Sequence, residues 1–186
     1  MNNYKTKDNI KIAISGLSGC GNTTVSNMLA DELGIPCINY TFRSLAREMN
    51  ISLKELMEKT KTDFKYDKAV DTRQIELASK TSCVLGSRLA IWILLNADLR
   101  VFLKASAKTR AARIHGREGG NIKEIEKFTE MRDSEDSRRY KELYGIDNSN
   151  FGFADLIIDT EELSPKEICD IIITVLTKKK LIQKNG

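Results

Sequence analysis

The segment Gly16-Leu17-Ser18-Gly19-Cys20-Gly21-Asn22-Thr23-Thr24 constrains the fold more than any other part of the chain. It follows an alternating apolar stretch at residues 10–14. It leads into a helical pattern over residues 23–33, which stops at Gly34 with Pro36 two positions beyond. A strand that turns through glycines into a helix aims backbone N–H groups and a helix N-terminus at one spot, which suits a polyphosphate. The spacing is that of G-x-x-x-x-G-K-[ST], with Asn22 in place of the lysine, and Thr23 falls where a hydroxyl ligand for Mg²⁺ belongs. A dinucleotide fingerprint is not met, because its third glycine would fall at Thr24. A tight turn without a ligand is the bland alternative, and the flanking strand and helix argue against it.

The rest of the chain sets limits. Its 186 residues suffice for one domain, with 30 Lys+Arg against 26 Asp+Glu and a net charge of +4. That balance suits anionic small molecules and is too weak to argue for nucleic acid. A single histidine, His115, excludes paired-histidine metal motifs. Cys20, Cys37, Cys83 and Cys169 are scattered and read as reduced thiols, so a cytoplasmic location is expected. No apolar run approaches the ~20 residues that a bilayer span requires, and no membrane partner is expected.

Strand patterns recur at residues 37–40, 81–85, 99–103 and 155–159. Helical patterns lie between them: a charged block over 41–80, an apolar helix at 89–95, and a last helix from Ser164 with Pro165 at its first position. Within the charged block, Ser52 and Glu55 form a capping-box pattern, and Leu53, Leu56 and Met57 share one face. Strands alternating with helices indicate a parallel sheet covered on both faces. Block 41–80 reads as a mobile insert within a single domain.

Arginine placement adds chemistry. Arg132, Asp136 and Arg139 sit at i, i+4 and i+7, on one face of a very polar helix. Both guanidinium groups can fork onto phosphate, while Asp136 can hold one of them or accept from a hydroxyl. Arg110, Arg113 and Arg117 form a second set, and Gly116, Gly119 and Gly120 lie around the join to the next helix, as in a lid. Arg43 and Arg88 closely follow strands, where ligands bind in open α/β sheets. Any one of these taken singly reads as a solvated surface charge.

With these motifs in view, the chain resembles the nucleoside monophosphate kinases, and within them the short archaeal-type cytidylate kinases. The markers are SGLSGCGNTT, Tyr40-Thr41-Phe42-Arg43, Ser87-Arg88-Leu89-Ala90, residues 111–119, the run 132–147 and residues 155–160. The resemblance implies a five-stranded parallel sheet with helices on both faces, an acceptor-binding insert at 41–80 and a lid over 110–145. It implies transfer of the γ-phosphoryl group of ATP to CMP or dCMP, with Mg²⁺. Gly16 through Thr24 would hold the donor phosphates, with Thr23 on the metal. Arg43, Arg88, Arg132 and Asp136 would hold the acceptor, and Arg113, Arg117 and Arg139 would act on the transferring group. Asp71 and Arg73 would lie near the base. Two departures stand out: Asn22 replaces lysine, and Gly86-Ser87 precede Arg88 where the family usually has an acid and a glycine.

The expected partners are small-molecule nucleotides, without nucleic acid, and a monomer is expected. The alternatives are a kinase for another monophosphate or small-molecule acceptor, and a catalytically weak nucleotide-binding module.

Overall fold

A computed structural model describes residues 3–60 and 62–185. At its centre is β2 (Lys11–Gly16), whose six residues are all buried. On one side it pairs with β4 (Cys83–Gly86), which pairs with β3 (Cys37–Ile38). On the other side it pairs with β5 (Leu99–Lys104), which pairs with β6 (Leu156–Asp159). All four pairings are parallel, in the order β3-β4-β2-β5-β6, so the five-stranded parallel sheet expected from sequence is present.

Alternation along the strands divides the core between the two sheet faces. Ile12, Ile14, Val84, Val101 and Leu103 face α1 (Asn22–Leu33) and α8 (Pro165–Lys178). Ala13, Leu85 and Phe102 face the single turn α5 (Ala90–Ile93) and Ala78 of α4 (Lys65–Ser79). Trp92 packs half-buried on this second cluster, edge-on to Phe102 at 6.0 Å.

Between β3 and β4 come α2 (Phe42–Glu48), α3 (Leu53–Thr60) and α4. Ser52 caps α3 as its pattern implied, its Oγ accepting from the N–H of Glu55 at 3.1 Å. Of the three apolar residues on that face, Leu56 is buried, Leu53 is half-buried and Met57 is exposed at the edge of a cleft.

After β5 the chain forms α6 (Ala107–Glu118) and the 23-residue α7 (Ile122–Tyr144). Gly119 and Gly120 make the join, both with positive φ (71° and 97°), a conformation that glycine adopts without a Cβ penalty. His115 is exposed on α6.

One feature had no local signal. β1 (Tyr4–Thr6) and β7 (Ile182–Lys184) join the chain ends in a two-stranded antiparallel sheet. The helix α8 ends at Lys178. The chain then turns through a left-handed Lys180 (φ 58°) into β7, and Lys179 reaches Asp155 at 3.4 Å.

Candidate active site

The C-terminal ends of β2, β3 and β4 open into a cleft of about 670 Å³, the place where open parallel sheets bind ligands. The glycine-rich loop forms one wall. Its backbone is tight: a Cβ at Gly16 would lie 2.4 Å from the carbonyl oxygen of Leu103, and one at Gly19 would lie 2.8 Å from that of Arg110. Gly21 caps α1 with φ 100°; no side chain caps the helix, and its first turn holds no acidic residue. Its first N–H groups thus face the cleft unclaimed, which is the condition for binding an anion.

The polar side chain within the loop turns inward. Nδ2 of Asn22 donates to the carbonyl of Gly16 at 2.6 Å, while Oδ1 is buried without a partner. Asn22 thus closes the loop on itself and brings no positive charge to the cleft. Leu17 through Thr24 line the cleft, whereas Gly16 is buried beneath it. Cys20 is buried and its thiol pKa is raised by that burial, which keeps it protonated.

The arginines divide into two groups. Arg110 stands behind the loop, only 5% exposed, and donates to the carbonyl of Ser18 at 2.9 Å. It also pairs with Asp133 at 2.5 Å, tying α6 and α7 to the loop. It is a structural pin and not part of a ligand-facing set with Arg113 and Arg117. Arg113 lines the cleft with its guanidinium donating to Thr160, at 3.0 Å to Oγ1 and 2.5 Å to the carbonyl. Arg117 stands at the cleft mouth, paired with its neighbour Glu118 at 2.5 Å.

The opposite wall carries a linked set. Arg88, just past β4, pairs with Asp136 of α7. Arg139, one turn along α7, pairs with Asp67 of α4 and lies 3.9 Å from Asp136. It also sits over the ring of Phe42 at 5.7 Å. Burial pulls the guanidinium pKa of both Arg88 and Arg139 down, and opposed carboxylates offset that cost. Arg132 lines the same cleft and is exposed. Arg43 is on the exposed face of α2, outside the cleft wall, although its neighbour Phe42 lines it. Arg73 pairs with Glu76 at 3.2 Å, also outside the cleft.

Two cleft residues lie outside every motif. Asp67 and Gln74 line it, both almost wholly buried, and Tyr140 of the marker run 132–147 lines it as well. The i, i+4, i+7 spacing of Asp67, Asp71 and Gln74 was the available signal. In a charged helical block it is indistinguishable from a solvated face. Asp71 accepts from the Tyr144 hydroxyl at 2.7 Å, and burial pushes its carboxyl up to about 6.

Gly86 has a packing reason. A Cβ there would lie 2.4 Å from Oγ and 2.7 Å from Cβ of Ser26 on α1. An acidic side chain at this position would displace the helix that carries the phosphate loop.

The cleft therefore sets a phosphate loop opposite buried, carboxylate-held arginines. The family model described as the cytidylate kinase-like family matches residues 11–162. The chain belongs to the cytidylate kinase-like family. A protein named cytidylate kinase 2 from Borreliella burgdorferi is 44% identical over 95% of this chain and 100% of its own length. A cytidylate kinase from Pyrococcus horikoshii is 37% identical over 89% of this chain and 88% of its own. Among solved structures, shikimate kinase from Acinetobacter baumannii superposes with a TM-score of 0.63 at 18% identity, covering 92% of this chain and 95% of that one. Deoxyadenosine kinase from M. mycoides does so with a TM-score of 0.57 at 19% identity, covering 90% and 100%. These likenesses show the fold that the cytidylate kinase-like family shares with other small P-loop kinases. Among the described residues no helix is long and apolar enough to cross a membrane.

Proposed function

We propose that this chain transfers the γ-phosphoryl group of ATP to the 5′-phosphate of CMP or dCMP. The observation that carries the reading is the facing of the phosphate loop and the Arg88–Asp136–Arg139–Asp67 set across one cleft.

Phosphoryl transfer asks for alignment and charge neutralisation, with little covalent chemistry from the protein. Loop amides from Leu17 to Thr24 hold the donor phosphates. Arg88, Arg132 and Arg139 take the acceptor phosphate, the first and last exchanging carboxylate partners for phosphate oxygens of the same charge. Asp136, released from the arginines, is free to accept from a sugar hydroxyl. An oxygen of the acceptor phosphate then bonds to the γ-phosphorus as the bond to the β-bridging oxygen breaks, and ADP leaves. Arg113 and Arg117 approach from the lid side and neutralise the transferring group. Arg43 lies beside the cleft-lining Phe42 on α2 and would add only a peripheral positive charge to the acceptor site.

The donor set fits Mg²⁺, which binds kinase sites through few protein ligands and keeps several waters. The Thr23 hydroxyl would hold it, lining the cleft with no protein partner among the described residues. The ion when bound would neutralise charge on the donor phosphates. All these side chains come from one chain, consistent with a monomer acting on free nucleotides. The free cysteines fit a reducing cytoplasm.

The test is ADP release from Mg·ATP with CMP, dCMP, UMP, AMP and GMP in turn. Turnover with CMP and dCMP is expected. Turnover confined to another acceptor would move the substrate, and silence with all five alongside ATP binding would leave a non-catalytic module.

A further inference from the structure

Ser87 stands where the loop wall of the cleft meets the arginine wall, and its backbone is fixed on both sides. Its N–H donates at 3.2 Å to the carbonyl of Ile14, on the strand that feeds the phosphate loop. Its carbonyl accepts from Oγ of the fully buried Ser15 at 2.9 Å and from the N–H of Ala90 at 3.3 Å. The same Ser15 Oγ accepts from the N–H of Ile91 at 3.1 Å, which ties α5 to β2. The residue that follows is Arg88, paired with Asp136.

Only the side chain is unspent. Ser87 lines the cleft, yet its Oγ is buried without a partner among the described residues. A hydroxyl deprived of both water and protein partners costs free energy in the empty cleft, and a ligand that supplies the partner recovers it. Rotation about one bond carries Oγ between staggered positions while the backbone bonds hold Cα in place. The hydroxyl has a proton to give, whereas Asn22 on the loop side has committed its amide to Gly16.

We propose that the Ser87 hydroxyl donates a hydrogen bond to a non-bridging oxygen of the phosphoryl group in transit between the loop and Arg88. The inference rests on the reading of the cleft as a phosphoryl-transfer site and adds a catalytic residue to it. An oxygen of the acceptor phosphate bonds to the γ-phosphorus, and the bond to the β-bridging oxygen breaks with its electron pair leaving on ADP. Ser87 keeps its proton throughout. Charge in this transition state is spread over the equatorial oxygens, and a donor fixed in advance by its own backbone stabilises it without reorganisation. Such a contact shows in kcat and leaves substrate binding in place.

The experiment compares wild type with Ser87→Ala and Ser87→Gly, using CMP or whichever monophosphate the wild type accepts. Steady-state kinetics are paired with equilibrium binding of ADP, of the monophosphate, and of both together with aluminium fluoride, a stand-in for the transferring group. Both variants are expected to lose about 10- to 100-fold in kcat, with KM for each substrate within about 2-fold of wild type. The aluminium fluoride complex should weaken by about 10-fold or more, while ADP and the monophosphate bind as before. Because the hydroxyl removed had no partner, Tm of Ser87→Ala should match or exceed that of wild type. A merely structural role would lower Tm and weaken every complex together, and that result overturns the inference, as does wild-type kcat in either variant. Wild type that turns over no monophosphate and forms no aluminium fluoride complex overturns the reading of function and the inference with it. An active wild type beside equally active variants overturns the inference alone.

Discussion

The side-chain amide of Asn22 donates to the carbonyl of Gly16 at 2.6 Å, so the residue that replaces the loop lysine acts on the loop and not on the ligand. Its job is to hold a strand end and a helix start in the curve that phosphates fit. Asn22→Ala frees a buried carbonyl and loosens that curve, at a cost of about 1–2 kcal/mol in stability. KM for ATP should rise while KM for CMP stays near wild type. Initial-rate kinetics with each substrate varied in turn check this, and an unchanged KM for ATP would contradict it.

Arg110 and Asp133 form a buried ion pair behind the same loop, with side chains 6% and 11% exposed. Removing one partner strands the other charge, which typically costs about 3–5 kcal/mol. Arg110→Met should lower Tm strongly, while Arg110→Met/Asp133→Leu recovers most of the loss. Thermal unfolding of the two single variants and the double variant tests this. An Arg110 single variant with wild-type Tm and lost turnover would make Arg110 a ligand after all.

Gly86 is set against Ser26. Gly86→Ala forces overlap with a buried helix residue and should destabilise by about 1–3 kcal/mol. Ser26→Gly in the same chain opens the space and should restore stability, although Ser26→Gly alone is itself destabilising in a helix by roughly 0.5–1 kcal/mol. Absence of any coupling in this double-mutant cycle would count against the packing account.

The arginines should separate kinetically. Arg132→Ala is expected chiefly to raise KM for CMP, and Arg117→Ala chiefly to lower kcat. Arg88→Ala should cost far more than Arg43→Ala, because Arg88 lines the cleft and Arg43 does not. Equal losses in both parameters for both lid-side and acceptor-side variants would sink that division.

Asp71 makes stability depend on pH. Its carboxyl pKa is raised by burial to about 6, above the usual 3.8. The folded state therefore holds a proton that the unfolded state releases between those values. The stabilisation is fully present below about pH 4 and is lost as pH rises through about 6, a change of up to about 3 kcal/mol. The Tyr144 hydroxyl favours the ionised form, so Tyr144→Phe should raise the pKa further and move the loss to higher pH. Urea denaturation at a series of pH values measures it as the difference between wild type and Asp71→Asn. A parallel profile for wild type and Asp71→Asn would remove Asp71 as the cause.

Features written in local order could be read from the residues alone. The phosphate loop was legible because glycines, a preceding strand and a following helix are contiguous. The parallel sheet was legible because buried strands read as apolar runs between helices. Arg132, Asp136 and Arg139 were legible because helical spacing alone places them on one face.

Features that depend on distant partners emerge only once the chain is packed. The β1–β7 pairing joins chain ends whose three-residue strands carry no pattern of their own. Arg110, Arg113 and Arg117 look alike in sequence. One is buried against Asp133, one is held by Thr160 and one stands at the cleft mouth. The same separation hid Asp67 and Gln74, which become cleft residues only when α4 packs beside β3 and α7 brings Arg139 across to it. Periodicity assigns a residue to a face of its own helix; which side chains oppose that face, and with what charge, is set by the packing of the other elements.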